Sequence, residues 1–160
     1  MELNGDSLDK IGVVGCGAVG CFYGAKLCRA GRHVHFLLRS DYRTIRKNGL
    51  RIRSGDGDFC VHPTAAREPG EIGPCDLVIV ALKSTANHRL GELLPPLVGE
   101  HTALLTLQNG LDNERALATL FPNQPVFGGM CFVCITRTQP GVIHHLSLIH
   151  ISEPTRRYAI

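Results

Sequence analysis

Three glycines, Gly15, Gly17 and Gly20, stand in GCGAVG between the apolar run IGVV and a stretch of helical periodicity. At a strand-to-helix junction this spacing has a physical use. The first glycine permits a sharp turn, the second lets a pyrophosphate approach the backbone, and the third lets the helix pack tightly on the strand. The free N–H groups of the helix start, at the positive end of its dipole, then face the phosphates. The residues expected around such a ligand are Gly15, Cys16, Gly17, Ala18, Val19 and Gly20. The plainer alternative is a structural turn with packing glycines. Cys16 also reads two ways: a thiol activated by the helix start, or a small residue fitting beneath the ligand.

Three further residues directly follow apolar runs: Arg39 after HVHFLL, Lys83 after LVIVAL and Asn109 after ALLTLQ. A basic residue at the end of the second strand favours the 2′-phosphate of NADP, where an acid would hold the ribose hydroxyls of NAD. The planar fork of Arg39 suits a phosphate, although a solvated surface arginine is the alternative. Asp41, two residues on, is a second candidate for ribose contact; pointing inward, it would favour NAD. Lys83 either snorkels to water or reaches cofactor or substrate oxygens. Asn109 either belongs to a plain Asn-Gly turn or offers its amide near a nicotinamide.

These residues need elements to position them. Strands are expected at 11–14, 33–38, 77–82, 103–107, 126–135 and 142–146. Helices are expected at 18–30, at 85–94, from a Ser40 cap to 47, and from an Asp112 cap to about 121. A hairpin around SGDGD should join 50–53 to 58–62, and 63–74 reads as polar and turn-rich. Strands alternating with helices predict an α/β fold with a Rossmann-like, doubly wound, mostly parallel sheet. Ligands of such sheets lie beyond the carboxyl ends of the strands, where the four candidate positions cluster.

The 160 residues suffice for one domain with a core, and a 19% share of charged residues fits a globular chain. The net charge of +3 comes without a basic stripe or aromatic platform, so no nucleic-acid partner is expected. No apolar run approaches the roughly 18 residues of a membrane span. MELNGDSLDK lacks the apolar segment of a secretory signal, so a cytoplasmic location is expected. Of seven cysteines, six sit in apolar or helical surroundings and Cys60 lies between turns. Cys131 and Cys134 form a C-x-x-C without a second pair, on a stretch read as strand, where their side chains would face opposite sides; no metal site is expected. His144 and His145 should alternate, one packed and one exposed, without a catalytic partner.

Taken in order, IGVVGCGAVGCFYGAKLCRAGRHVHFLLR, VIVALKS, LLTLQNGLDNE and GVIHH resemble the N-terminal domain of the ketopantoate reductases (2-dehydropantoate 2-reductases) over residues 10–146. The resemblance implies NADPH bound by the glycine loop with its 2′-phosphate on Arg39. It also implies Lys83 near the nicotinamide, and Asn109 contacting cofactor and substrate. The implied reaction is reduction of 2-dehydropantoate to pantoate, toward pantothenate and coenzyme A, with the small keto acid as partner and a homo-oligomer left open. Family members continue into a helical C-terminal domain that carries the catalytic lysine and its acidic partner. No position here matches those residues, so none is assigned as catalytic and this chain alone is expected to be inactive. Residues 1–9 are expected to be a flexible N-terminus. Residues 147–160 depart from the family and resemble a translated sequencing-adapter oligonucleotide, so a truncated chain with a foreign end is expected. Alternatives are a non-catalytic NADP-binding module or sensor, a reductase of another 2-keto acid, and a glycine turn serving FAD or S-adenosylmethionine.

Overall fold

The computed structural model describes residues 9–146; the expected N-terminal segment, Asp9 apart, and the tail at 147–160 lie outside the described residues. The chain begins with β1 (Lys10–Val14), α1 (Ala18–Arg29) and β2 (His33–Leu37). Next come α2 (Tyr42–Asn48), the hairpin strands β3 (Leu50–Ser54) and β4 (Phe59–Val61), then β5 (Thr64–Ala66), α3 (Pro69–Ile72) and β6 (Cys75–Val80). A 3-10 turn (Ser84–Arg89) leads into α4 (Leu90–Leu93) and β7 (Val98–Thr106). The chain then forms α5 (Asn113–Leu120), β8 (Val126–Gly128), β9 (Cys134–Gln139) and β10 (Val142–Leu146).

Six strands form one sheet in the order β5-β2-β1-β6-β7-β8, parallel at every pairing. This is the expected Rossmann-like, doubly wound arrangement. Its order reverses direction at β1: β2 and β5 lie to one side, β6, β7 and β8 to the other. Alternation along each strand sends side chains to two cores. Ile11, Val13, Phe36 and Ile79 pack on one face with Phe22 and Ala25 of α1. Val14, Val78, Val80 and Leu104 pack on the other with Leu90, Leu93, Leu94 and Leu117. A buried apolar row on both faces is what a parallel sheet requires.

A second sheet has the order β4-β3-β10-β9; its hairpin and the strand at 142–146 were expected, their union in one sheet was not. β10 pairs in parallel with β3, setting Ile143 beside Ile52. Both side chains join the core that holds α1, so that helix lies between the two sheets.

Several expectations are corrected. The segment 63–74 is not merely turns: its three-residue strand β5 edges the main sheet beside β2, and α3 follows. The expected helix at 85–94 is mostly a 3-10 turn, ending in one turn of α-helix. The expected strand at 126–135 is broken: β8 belongs to the parallel sheet and β9 to the second sheet. Cys131 therefore lies outside a strand. Neither Ser40 nor Asp112 caps a helix through its side chain; Asp112 instead adopts a left-handed backbone, φ 64°. His144 and His145 are both partly buried, His145 against the Phe22 ring at 4.8 Å.

Gly24 of α1 lies so close to the fully buried Phe36 ring that a Cβ there would overlap it. Gly24→Ala gains helix propensity but overpacks the core, and the second effect dominates. A net destabilisation of about 1–2 kcal/mol is expected in urea unfolding; unchanged or increased stability would contradict this packing.

Candidate functional site

The three turn glycines serve different needs. Gly15 has φ 96°, and a Cβ on it would strike the backbone of Ala81 and Leu82 at the end of β6. A Cβ on Gly20 would strike the Gly15 carbonyl and sit 3.2 Å from the Ala81 methyl. These two glycines are demanded by the fold itself. Gly17 is not: its φ is −79°, and a Cβ there would meet none of the described residues within 4 Å. The first turn of α1 has neither a side-chain cap nor an acidic residue. Its leading N–H groups lack partners within the helix, and among the described residues no side chain caps them. The Gly17 N–H is the exception, since it donates to the Gly15 carbonyl at 2.8 Å.

A cleft of about 790 Å³ opens along the carboxyl ends of the parallel strands. Gly15, Cys16 and Gly17 line its centre, Leu38 and Arg39 one side, and Leu82 and Lys83 the other. Gly20 supports the turn from below, and Ala18 and Val19 open the helix without lining the cleft wall. Asn109 is exposed and lies outside the lining. It follows β7 as Lys83 follows β6, each three residues beyond the paired Thr106 and Val80.

Asp41 is buried, but not as a free ribose ligand. Its carboxylate accepts from the Ser40 hydroxyl at 2.9 Å and the Gly141 N–H at 3.1 Å, and pairs with Arg137 at 3.5 Å. It ties the loop after β2 to the turn between β9 and β10. Asp41 also lines the cleft, with three of its roughly four acceptor sites taken by contacts within the protein.

The loop carrying Asn109 is fixed by amides that the sequence did not single out. The Gln108 side chain donates to Asn87 at 2.7 Å, and Asn87 donates to the buried Asn113 at 3.0 Å. Asn113 in turn donates to the Gly110 carbonyl at 3.0 Å. This relay joins the turn after Lys83 to the turn after β7.

Cys16 is not an activated thiol. Burial, then its hydrogen-bonded neighbour Cys21, pushes its pKa well above the usual thiol range. It is a small side chain under the cleft, its Sγ directed to the Val13 carbonyl at 3.5 Å. Among the described residues, no group of three or more His, Cys, Asp or Glu is placed to hold a metal ion. Arg67, Arg89 and Arg137 also line the cleft and went unpredicted. Arg67 follows β5, so the strand-end rule would have found it had that strand been recognised. Arg137 arrives from the second sheet and carried no local signal.

Residues 11–152 match the ketopantoate reductase PanE/ApbA family. A 2-dehydropantoate 2-reductase from a Nostoc species is 46% identical over 86% of this chain and 43% of its own length. The crystal structure of 2-dehydropantoate 2-reductase from Geobacter metallireducens superposes with a TM-score of 0.83 at 54% identity, covering 86% of this chain and 46% of that one. The enzyme of that name from Methylococcus capsulatus gives 0.81 at 36% identity, with the same coverage of each. The chain thus spans less than half the length of these relatives. With a doubly wound parallel sheet and a family match across most of its length, the chain belongs to the ketopantoate reductase family of oxidoreductases.

Proposed function

We propose that this chain is the NADP-binding half of a 2-dehydropantoate 2-reductase. The observation that carries the reading is Gly17: among the described residues nothing requires its missing side chain, and its absence leaves space facing an uncapped helix start. That is a cradle for a pyrophosphate. When bound, the nicotinamide supplies the hydride that reduces the keto carbon. This chain's residues bind and orient the dinucleotide. The glycine turn holds the phosphates, Arg39 pairs the 2′-phosphate, and Lys83 faces the nicotinamide side. Asn109, held by the amide relay, serves cofactor and substrate just beyond it.

Fixing the keto acid and protonating the developing alkoxide need a positioned acid and a water-poor cleft. We assign those roles to the additional length of the relatives. The apolar side chains Leu111, Met130 and Phe132 are 94%, 84% and 74% exposed beside the nicotinamide side, a surface such a domain would cover. On this reading the 160-residue chain binds NADPH without turning over ketopantoate. All seven cysteines are free among themselves, which fits a reducing, cytoplasmic setting. No helix among the described residues is long and apolar enough to cross a membrane.

Two measurements test the reading. Arg39 is exposed and, among the described residues, paired with no carboxylate. A charge-assisted phosphate contact should favour NADPH over NADH roughly tenfold or more, and Arg39→Ala should remove that preference in fluorescence titrations. Equal wild-type affinities would overturn the NADP assignment. Gly17→Val should fold normally by circular dichroism, since open space receives the side chain, yet lose NADPH binding. A folded variant that binds normally would overturn the phosphate cradle.

A further inference from the structure

The residues along the carboxyl edge follow the strand order: Arg67 on β5, Arg39 on β2, the glycine turn on β1, Lys83 on β6 and Asn109 on β7. Because the topology reverses at β1, the glycine turn divides the cleft into two sides. On the side of β2 and β5, two arginines leave the sheet almost in register. Leu37 pairs with Ala66, and the Leu38 N–H donates to the Ala66 carbonyl at 2.8 Å. Arg67 is therefore level with Leu38, one residue short of Arg39. Neighbouring strands are about 4.8 Å apart, so β5 lies about 10 Å from β1, within reach of a nucleoside attached to the pyrophosphate.

Arg67 is also held. Its guanidinium lies over the Tyr42 ring, 4.8 Å from the centroid. Arg46 lies near the same ring at 5.8 Å and donates to the Tyr42 hydroxyl. The acids nearby are occupied. Asp41 is paired with Arg137 and accepts from Gly141, Glu92 pairs with Arg89 at 3.3 Å, and the Glu71 carboxylate accepts from the Arg67 and Glu68 N–H groups. Among the described residues, Arg67 and Arg39 are paired with no carboxylate, and both line the cleft. Arg67 also borders a basic hollow with Arg43, Arg46 and Lys47. The positive field thus extends outward from the adenosine side.

We infer that Arg67, positioned by Tyr42, is a second specificity-determining cation that clamps the 2′-phosphate of the adenosine moiety together with Arg39. This rests on the NADP reading and deepens it. Two guanidiniums from adjacent strand ends divide the three phosphate oxygens between them, which one exposed arginine cannot do alone.

The probes are adenosine 2′,5′-bisphosphate and adenosine 5′-monophosphate, titrated calorimetrically into the 160-residue chain. They address this side of the cleft without the nicotinamide. Wild type should prefer the bisphosphate. Arg67→Ala should weaken the bisphosphate about five- to twentyfold while leaving the monophosphate within about twofold, and should flatten the salt dependence. Arg67→Lys, which keeps the charge but not the fork, should fall between. Tyr42→Leu should lose part of the preference and Tyr42→Phe should keep it. Equal losses for both nucleotides, or no loss for either, would overturn the role of Arg67. Equal losses in the two Tyr42 variants would overturn the positioning role of its ring. If Arg39→Ala abolishes the preference while Arg67→Ala retains it in full, the NADP reading stands and this inference falls. A wild type indifferent to the 2′-phosphate would overturn both.

Discussion

The close approach of Gly15 to the end of β6 is the constraint on which the rest depends. At φ 96°, with no room for a Cβ beside Ala81 and Leu82, the chain turns sharply out of β1 and starts α1 directly above the strand end. Gly20 then seats the first helical turn on the Gly15 carbonyl. A side chain at either position would push the helix start off the sheet and move its N–H groups away from the cleft. The shape of the cleft floor is a consequence of this close backbone packing.

From that point the site extends sideways along the sheet edge. Parallel pairing brings every carboxyl end to the same side, so residues distant in sequence, such as Arg39 and Lys83, flank one cleft. The second sheet contributes support. Asp41 anchors it by accepting from the Gly141 N–H, and the same carboxylate holds Arg137 at the cleft. A buried acid at this position therefore stabilises the loop carrying Arg39. Lone breakage of that anchor would strand a buried charge, the costly half of such a network.

The main sheet was legible because its central strands are long, apolar and followed by polar strand-end residues: IGVV, HVHFL and LVIVAL announce themselves. The glycine turn was legible because its three glycines stand between an apolar run and a helical pattern, where a sharp turn and close helix packing call for them. The strand β5 was not, since Thr64, Ala65 and Ala66 carry no β-branched run and sit among prolines. Its loss hid Arg67, although the rule that found Arg39 applies equally to it. The pairing of β10 with β3 unites segments about ninety residues apart, and no local pattern encodes it. The break at 129–133 hid in a run of apolar residues that reads as one strand, while its two ends serve different sheets. The amide relay of Asn87, Gln108 and Asn113 depends on tertiary proximity alone.

The central claim is that a dinucleotide lies along the carboxyl edge with its phosphates on the α1 start. Amide NMR of the labelled chain during titration with NADPH tests this residue by residue. The account predicts the largest shifts at Gly17, Ala18, Val19 and Gly20, with further shifts at Arg39, Arg67 and Lys83 on the flanking strand ends. Saturating perturbations confined to the opposite end of the sheet, around Arg32, His33 and His62, with the glycine turn unmoved, would contradict it.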